Sequence, residues 1–423
     1  MKQVAIVGGG YAGMAAAVAA SARGAQVTVL EAGPVLGGRA RRVELDGLAL
    51  DNGQHLVVGA YRELLRLMAE VGVAERTAFV RQPLDLDLPG HFRLACPRLP
   101  APWHALVGLL GARGLDAGAR WAAIRTMTLA RLAGHRLRRD TTVADWLASQ
   151  RQPEILVRCL WEPLTLAALN TPIATASAQV LLNVLRDSLA GRRADSDFLL
   201  PRIDLSTAFP EAAARHIAQR GGRVLTGALV RRISQQPHGW QVDRLPEQTF
   251  DALIVALPPH RLSMLADSHP ALATAAASLA DWEYQPIYTV YLRYPPTTRL
   301  AKPMLGLVGG IAQWAFDRGA THGQHGLIAV VVSAEGPHQT LDQTALAQAV
   351  AEELTRTLAL PAPLASRVIA EKRATFACTP DLRRPANRTD APGLLLAGDY
   401  TAGDYPATLE GAVRSGVQAA ALL

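Results

Sequence analysis

The chain has 423 residues, of which 49% are apolar and 19% are charged, and its formal net charge is +7 at pH 7. A chain of this length is expected to form two or three domains, and its composition is that of a globular protein. Three scattered cysteines argue against a disulfide framework or a metal site and favour a reducing compartment (Cys96, Cys159, Cys378). No nucleic-acid motif occurs, and no apolar run reaches the roughly 18 residues that a membrane span requires.

The first 31 residues have the pattern of a βαβ unit. Residues 4–7 form an apolar, strand-like run, residues 14–22 form an alanine-rich helical stretch, and residues 26–30 form a second apolar run that ends at Glu31. The chain enters the first run within its first few residues, so no signal peptide is expected. This order of elements predicts the start of a nucleotide-binding fold.

The turn between the first run and the helix has the glycine spacing G-x-G-x-x-G. Gly8 permits a tight turn, Gly10 lets the backbone approach a pyrophosphate, and Gly13 lets the helix and the strand pack closely. The helix N-terminus favours the charge of a phosphate. Glu31, 18 residues after Gly13, is predicted to accept hydrogen bonds from ribose hydroxyls.

A second glycine pair follows, and it precedes an arginine. Gly37 and Gly38 free the backbone for close contact, and Arg39 offers a planar fork of donors to a phosphate. Glu31 followed by this Gly-Gly-Arg resembles the flavin-containing amine oxidase and carotenoid desaturase superfamily. The resemblance implies FAD rather than NAD, with Gly38 and Arg39 near the diphosphate and the flavin, and it adds Val230 to the cofactor contacts.

The rest of the chain alternates between helical and strand-like patterns. A helix is predicted over residues 61–71, and mostly helical structure over residues 101–200. A β-hairpin is predicted from the runs at 229–233 and 240–242, around a polar turn. The other strand-like runs lie at residues 84–89, 250–257, 287–292, 327–332 and 394–397.

The positive charge is concentrated in one stretch. Residues 101–139 hold one acid and seven arginines, a net of +6 (Arg113, Arg120, Arg125, Arg131, Arg136, Arg138, Arg139). The same stretch carries Trp103, Trp121 and many aliphatic residues. This pattern is typical of a membrane-surface element, although an ordinary amphipathic helix with a solvated arginine face has it too. We expect an anionic membrane surface as a partner, and a cytoplasmic protein held peripherally at the inner face of the membrane.

The run at 394–397 is followed by Gly398 and Asp399, and then by a block that leads into a last helix beginning near Leu409. This block resembles the C-terminal motif of plant-type phytoene and ζ-carotene desaturases. The resemblance implies that Asp399 contacts the ribityl chain or the diphosphate of FAD, and it counts Leu409 among the cofactor contacts. The helix start then faces the flavin ring, where its partial positive charge stabilises a reduced, anionic flavin. No cysteine precedes Tyr405 in the block, so non-covalent FAD is expected.

Three further segments carry a closer resemblance. Residues 51–63, 160–172 and 201–206 resemble squalene-associated FAD-dependent desaturases, a family now called hydroxysqualene dehydroxylases. The resemblance covers nearly the whole chain. It implies reductive removal of the hydroxyl group of hydroxysqualene to give squalene for hopanoid biosynthesis. A long apolar isoprenoid is then the substrate, and other squalene-pathway enzymes are expected partners.

Nucleotide-type elements at both ends and in the middle of the chain predict a discontinuous organisation. The expected fold class is α/β, with a Rossmann-like FAD-binding domain and an inserted α+β substrate domain. The FAD-binding domain is predicted to comprise residues 1–85, 205–260 and 376–423. The substrate- and membrane-facing domain is predicted to comprise residues 86–204 and 261–375.

Three residues are candidates for catalysis. His55 lies in a segment that, by resemblance, faces the flavin, and a histidine titrates near working pH. It is predicted to protonate the departing hydroxyl, directly or through water, with Glu162 and Tyr405 as the next candidates. Glu162 and Asn170 lie in an apolar segment, where they are either helix caps and surface groups or polar anchors in an apolar tunnel.

Two other functions stay open at this stage. An oxidative desaturase of carotenoid type uses the same fold and an apolar substrate, with hydride moving in the opposite direction, and the motifs do not separate the two. The second is a non-catalytic isoprenoid-binding protein, as with the GDP dissociation inhibitors that resemble this superfamily. Intact flavin motifs at both ends of the chain argue against that alternative.

Overall fold

The computed structural model describes all residues from 1 to 423. Its strands, in chain order, are β1 (Gln3–Val7), β2 (Gln26–Leu30), β3 (Arg42–Leu45), β4 (Leu48–Asp51), β5 (Val57–Val58), β6 (Phe79–Gln82), β7 (Asp85–Leu88), β8 (Phe92–Ala95), β9 (Phe198–Pro201), β10 (Arg223–Leu225), β11 (Ile233–Gln236), β12 (Gly239–Val242), β13 (Ala252–Val255), β14 (Tyr284–Arg293), β15 (Met304–Gly306), β16 (Trp314–Asp317), β17 (Leu327–Ser333), β18 (Ala365–Phe376) and β19 (Leu394–Leu396).

The helices, in chain order, are α1 (Tyr11–Ala22), α2 (Arg62–Glu70), α3 (Glu75–Ala78), α4 (Trp103–Leu110), α5 (Ala117–Leu132), α6 (Val143–Ser149), α7 (Glu154–Leu156), α8 (Glu162–Leu169), α9 (Ala178–Leu185), α10 (Leu205–Ala208), α11 (Pro210–Gln219), α12 (Pro259–Leu262), α13 (Pro270–Ala277), α14 (Arg318–His322), α15 (Gln343–Leu358) and α16 (Leu409–Ala421). Two π-helical turns interrupt this series. One, at Val157–Trp161, joins α7 to α8, and the other, at Arg186–Ala190, continues α9. Such turns occur frequently at functional sites.

Five strands form a parallel sheet in the order β10-β2-β1-β13-β19. Their sequences are nearly unbroken apolar runs because a parallel sheet is covered on both faces. Helices α1 and α16 pack against each other on one face of this sheet. The strands come from the beginning, the middle and the end of the chain, and the predicted fold class, with its Rossmann-like sheet, is confirmed.

A second sheet is antiparallel, in the order β15-β16-β17-β14-β18. Side chains alternate across it, as strand geometry requires. Val290 and Leu292 of β14 pack in a small core with α15, whereas Tyr291 lies in the main core on the other side. Helices α4 to α9 contribute to that main core, where Trp146 and Trp161 meet edge to face with ring centroids 5.8 Å apart.

The predicted domain division stays a prediction, but one of its boundaries conflicts with the strand pairing. Strand β9 was assigned by sequence to the substrate domain, yet it pairs with β5 and β6 from the first segment of the predicted FAD-binding domain. Residues 198–201 are a four-residue buried apolar strand in the middle of the three-stranded sheet β5-β9-β6, so its partners are the strands that lie beside it in the fold and not those near it in the sequence.

The predicted hairpin forms with a different register. Strand β11 begins at Ile233, where the first predicted strand was expected to end, and Gln236 pairs with Gly239 across a two-residue turn. The segment before it is held in another way, because the backbone N–H of Arg231 donates to the Asp243 carboxylate. No helix of the structure combines the length and the apolar character needed to span a bilayer.

Candidate active site

The glycine turn between β1 and α1 leaves no space for side chains. Gly8 has φ +111°, and a Cβ atom there would lie 2.5 Å from the Ala256 carbonyl oxygen. A Cβ atom on Gly13 would lie 1.9 Å from the Gly8 carbonyl oxygen. Both distances are below any real van der Waals contact, so glycine is required for the turn and for the packing of α1 on the sheet. The roles predicted for these two residues follow directly from the geometry.

Gly10 is different, because its neighbourhood is open. It precedes α1 without any side-chain cap, and a Cβ atom there would meet only Gly38, at 3.8 Å. Gly10, Tyr11 and Ala12 line a large cavity, into which the first turn of α1 faces. Uncapped N–H groups and the helix dipole favour an anion at this position. The open space beside Gly10 therefore fits the diphosphate of a dinucleotide.

Glu31 lies at the end of β2 and lines the same cavity. Its carboxylate accepts hydrogen bonds from the backbone N–H groups of Gly9 (2.6 Å) and Gly33 (2.7 Å). These bonds orient the carboxylate, and each oxygen keeps further acceptor capacity. The geometry is compatible with the predicted ribose contact.

Arg39 and Asp399 are 360 residues apart in sequence and form an ion pair of 2.6 Å in the structure. Arg39 also donates to the Ala374 carbonyl oxygen at 2.6 Å. Both members of the pair line the cavity, and Gly38, at φ +61°, lies beside Gly10. The two motifs predicted to contact the cofactor from opposite ends of the chain therefore meet at one place.

Arg384 holds the loop that follows Asp399, and no sequence pattern marked it. Its guanidinium donates to the carbonyl oxygens of Asp399 (2.5 Å), Gly403 (3.0 Å) and Tyr405 (2.6 Å). Only an arginine offers enough N–H donors in a fixed plane to hold three carbonyl groups. A single arginine that precedes a proline carries no recognisable signal in sequence, and it was missed for that reason.

Helix α16 begins at the cavity wall. Thr408 caps it by accepting from the Gly411 N–H at 3.0 Å, and Thr408 and Leu409 line the cavity. The buried Glu410 does not face the cavity but accepts from the N–H groups of Glu63 and Leu64 at the start of α2. It therefore satisfies two unpaired donors of another helix, which is a structural role.

The cavity extends from the glycine turn into the helical region and has a volume of about 1180 Å³. We call the part lined by Gly10, Glu31, Arg39 and Asp399 the nucleotide end. The other part, the apolar end, is walled mainly by aliphatic side chains of α4, α5, α8 and the π-helical turns (Leu106, Leu109, Ile124, Met127, Leu160, Leu164, Leu189). Hydrophobic residues make up 48 of the 78 lining residues, so the cavity suits a large apolar ligand.

A hydrogen-bonded polar pair lies in the cavity wall. The hydroxyl group of Tyr405 donates to the Asp187 carboxylate at 2.5 Å, and Arg186 pairs with the same carboxylate at 2.7 Å. Burial raises the pKa of Asp187, but the hydrogen bonds from Arg186 and Tyr405 outweigh it, and the pKa lies below its ordinary value. Burial and the bond to Asp187 raise the pKa of Tyr405 far above its ordinary value. Asp187, which lies in a π-helical turn, was not singled out from sequence.

His55 lines the cavity, as predicted, but in a form that disagrees with the predicted role. Burial and then the positive charge of Arg39 lower the pKa of His55 to about 4. Its imidazole is therefore neutral near pH 7 and holds no proton that it readily gives up. The prediction that His55 supplies the proton conflicts with this environment, because burial and a neighbouring cation both disfavour the imidazolium form.

Glu162 was wrongly placed among the catalytic candidates. Its side chain is exposed, and it does not line the cavity. The helix turns it outwards while Leu160 and Leu164 face inwards. Asn170 does line the cavity, but its amide donates to Thr375 Oγ1 at 2.9 Å and accepts from the Ala334 N–H at 2.8 Å. It ends α8 in the left-handed conformation, so the helix-cap interpretation holds for it.

Val230 also lines the cavity, beside the nucleotide end. A dinucleotide bound along the glycine turn would have its phosphates at the start of α1, and the Arg39–Asp399 pair and the start of α16 line the same cavity. From there the apolar end is directly accessible. Such an arrangement defines a class of protein, an oxidoreductase that joins a nucleotide cofactor to a large apolar substrate chamber.

Sequence comparison specifies this class further. The family described as flavin containing amine oxidoreductase matches residues 11–423, and the chain belongs to that family. The protein is thus a flavin-dependent oxidoreductase.

Individual relatives span the whole chain. It is 29% identical over 440 residues to a hydroxysqualene dehydroxylase of Sinorhizobium fredii, covering 100% of this chain and 98% of that protein. It is 28% identical over 435 residues to a hydroxysqualene dehydroxylase of Zymomonas mobilis, covering 99% and 98%. A 15-cis-phytoene desaturase of Narcissus pseudonarcissus is 24% identical over 460 residues, covering 98% of this chain and 78% of that protein. Among solved structures, an oxidoreductase from Methanosarcina mazei matches with a TM-score of 0.74 at 15% identity, covering 98% of this chain and 99% of the other, and shows the same fold.

Proposed function

We propose that this protein binds FAD non-covalently and removes the hydroxyl group of hydroxysqualene by reduction, giving squalene in hopanoid biosynthesis. The observation that carries the proposal is the continuity of one cavity from the flavin motifs to an aliphatic chamber. Relatives named for the same reaction match over nearly their full length, with higher identity than the carotenoid desaturase. An exclusively oxidative desaturase is therefore the less favoured alternative.

The residues of the nucleotide end fit FAD in particular. The uncapped start of α1 would hold the diphosphate, and the carboxylate of Glu31 would accept hydrogen bonds from the ribose hydroxyls. Arg39 and Asp399 would hold the part of the cofactor between the diphosphate and the flavin ring. The start of α16, with Leu409, supplies the partial positive charge that stabilises an anionic reduced ring.

The cysteines support non-covalent binding. Cys96 lines the cavity, and burial raises the pKa of its thiol to about 12. Cys378 lies outside the C-terminal flavin motif, and burial raises the pKa of its thiol to about 12 as well. Cys159 is buried and does not line the cavity. A thiol that stays protonated is a weak nucleophile, so a thioether to the flavin is not expected.

The reaction needs a hydride and a proton. Reduced FAD, when bound at the nucleotide end, would supply the hydride for the carbon that loses oxygen. The carbon–oxygen bond breaks with its electron pair going to oxygen, and a proton joins that oxygen to form water. Hydroxide is a poor leaving group, so a positioned proton donor is expected to contribute roughly 10²–10⁴-fold to the rate.

Tyr405 is the donor that the geometry favours. Its hydroxyl lines the cavity and is held by Asp187. The raised pKa keeps Tyr405 protonated, and its hydroxyl turns from Asp187 to the departing oxygen, a stronger base, to hand over its proton. The ionised Asp187 also accepts a hydrogen bond from the substrate alcohol, and this pair gives a largely featureless isoprenoid one polar anchor. Solvent reprotonates Tyr405 after each turnover.

The test is a single turnover under anaerobic conditions. Photoreduced enzyme is mixed with hydroxysqualene, and squalene is measured by mass spectrometry, with oxidised enzyme as the control. Squalene is expected only from the reduced enzyme. Desaturation of squalene or phytoene by the oxidised enzyme, with no turnover of the alcohol by the reduced enzyme, would instead support the carotenoid-type alternative. No chemistry in either state, with lipid still bound, would indicate a binding protein.

The proton donor is tested by Tyr405→Phe, which removes only the hydroxyl group. We expect a rate at least 100-fold lower with an unchanged flavin content, on the scale of general acid catalysis. Tyr294→Phe is the matched control, because the Tyr294 hydroxyl is buried without a partner and away from the cavity. An unchanged rate in Tyr405→Phe would exclude Tyr405 as the donor.

A further inference from the structure

The outer surface of helices α4 and α5 is unusually apolar. Of the twelve large hydrophobic side chains that are exposed in the whole chain, six lie on these two helices (Trp103, Val107, Leu110, Trp121, Leu129, Leu132). Trp103 is 59% exposed, Trp121 63% and Leu132 79%. We call this set of six side chains the α4–α5 face. Large apolar side chains grouped in this way mark an interaction site rather than ordinary surface.

Helix geometry places these side chains in continuous rows. Trp103, Val107 and Leu110 are four and three residues apart, and Trp121 and Leu132 are three turns apart, so each row lies along one side of its helix. The sides turned away from these rows are also apolar, because Leu109 of α4 and Ala123 and Ala130 of α5 are buried in the main core. A helix that is apolar on two sides is not adapted to water on either of them.

The charges around the face are unpaired. The arginines at positions 113, 120, 125, 131, 136, 138 and 139 form no ion pair, whereas many other arginines of the chain do. All of them except Arg120 are exposed, and Asp116 is the only acid in this stretch. An apolar face with tryptophans and a surplus of about six positive charges matches an anionic bilayer surface, where the rings enter the interface and the guanidinium groups meet lipid phosphates.

The cavity reaches the surface at the same two helices. Leu106 of α4 and Met127 of α5 line its apolar end. Thr128 and Arg131, on α5, both line the cavity and are exposed, so the cavity opens beside this helix. An opening next to the α4–α5 face allows a ligand that is insoluble in water to move between a bilayer and the cavity without crossing the aqueous phase.

We propose that the α4–α5 face docks onto an anionic bilayer and that long apolar ligands enter and leave the cavity through the opening at Thr128 and Arg131. The docking stands independently of the reaction that the enzyme catalyses. The passage of substrate rests on the proposed function, and the two parts are tested separately.

Docking is tested first, by flotation of the flavin-loaded protein with vesicles and no substrate. We expect binding to vesicles of phosphatidylcholine with phosphatidylglycerol, weaker binding at high salt, and little binding to phosphatidylcholine alone. The triple variant Arg136→Gln, Arg138→Gln, Arg139→Gln is expected to bind roughly fivefold more weakly for each arginine removed. The matched control, Arg220→Gln, Arg232→Gln, Arg244→Gln, changes the net charge equally on exposed positions elsewhere and is expected to bind normally.

The apolar contribution is tested by Trp121→Ser with Leu132→Ser. This variant is expected to lose at least tenfold in vesicle binding, whereas Leu364→Ser, at a position that is 69% exposed and outside the face, is expected to lose none. Equal binding to neutral and anionic vesicles, or equal losses in the face variants and their controls, would overturn the docking proposal.

The passage of substrate is tested by the way in which the substrate is presented. Trp121→Ser with Leu132→Ser is expected to slow turnover of hydroxysqualene dissolved in vesicles at least tenfold and to leave turnover in detergent micelles unchanged. Equal slowing in both would show that the face acts on catalysis and not on delivery. A wild-type enzyme that is inactive in both, yet binds vesicles as described, would refute the proposed reaction and leave the docking intact.

Discussion

The two ends of the cavity are built on different principles. At the nucleotide end, backbone N–H groups of α1 and the pair formed by Arg39 and Asp399 face the interior at defined positions. At the apolar end, most of the wall is formed by aliphatic side chains such as Ile124 and Leu164, with few polar groups among them. The nucleotide end recognises particular atoms, so few residue types are tolerated at each of its positions. The apolar end recognises shape and the absence of water, which many combinations of aliphatic residues provide.

This contrast predicts that a single methyl-sized change has the largest effect at the nucleotide end. Gly13→Ala should abolish flavin binding and destabilise the fold, because the added carbon would lie 1.9 Å from the Gly8 carbonyl oxygen. Overpacking of this kind costs about 1–3 kcal/mol or more. The flavin content is read from the absorbance of the purified protein, and the stability from thermal unfolding. Gly403→Ala, where an added carbon meets nothing within 4 Å, is the control and should retain both.

Glu31→Ala should weaken FAD binding by roughly 1.5–3 kcal/mol, the scale of a hydrogen bond to a charged group. It also leaves the N–H groups of Gly9 and Gly33 without their acceptor. Titration of the apoprotein with FAD measures the change. Acid precipitation of the wild type should release all of the yellow colour into the supernatant, and colour kept in the pellet would show a covalent link that the present proposal does not allow.

At the apolar end, a bulkier side chain should be tolerated by the fold and should act only on the substrate. Ala168→Trp extends into the cavity and displaces a part of the isoprenoid chain. Loss of two buried methylene groups corresponds to about 1.6 kcal/mol in substrate affinity. Binding of a squalene analogue is measured together with flavin content, which should not change. Ala148→Trp, on an exposed site of α6 outside the cavity, should alter neither. A loss of flavin in Ala168→Trp would show that the two ends are not independent.

His55 lies near the boundary between the ends and is expected to show the smallest effect at neutral pH. Its pKa of about 4 lies below the ordinary value of 6.5, so it stays neutral above about pH 5. The pH–rate profile of His55→Gln should therefore keep the wild-type shape between pH 6 and 8. Because the folded protein binds this proton less readily than the unfolded chain, stability should fall as the pH drops from 6.5 towards 4. His55→Gln should reduce that fall, measured by urea unfolding. If the wild-type pH–rate profile instead has an inflection near pH 6.5 that disappears in His55→Gln, His55 would again be the favoured proton donor.

The nucleotide end was the part most accessible from sequence. Gly13 is required by a contact with Gly8, five residues away, and Gly8 has a positive φ in the same turn, so both can be read from local sequence. The buried apolar runs that form β1, β2 and β13 are local patterns as well. Local patterns also indicated an arginine-rich, apolar helical region, since charge and helical period are readable along the chain.

Other features depended on tertiary structure. Sequence did not link Arg39 to Asp399 specifically, because that ion pair joins residues 360 positions apart. Neither Arg384 nor Asp187 carries a motif, and each matters only because of the loop that it contacts. The pKa of His55 depends on burial and on a neighbouring arginine, and the outward direction of Glu162 depends on the packing of α8. The sequence by itself determined the local geometry of the cofactor turn, and the tertiary structure decided which distant side chains meet, because contacts between remote segments follow from packing rather than from local pattern.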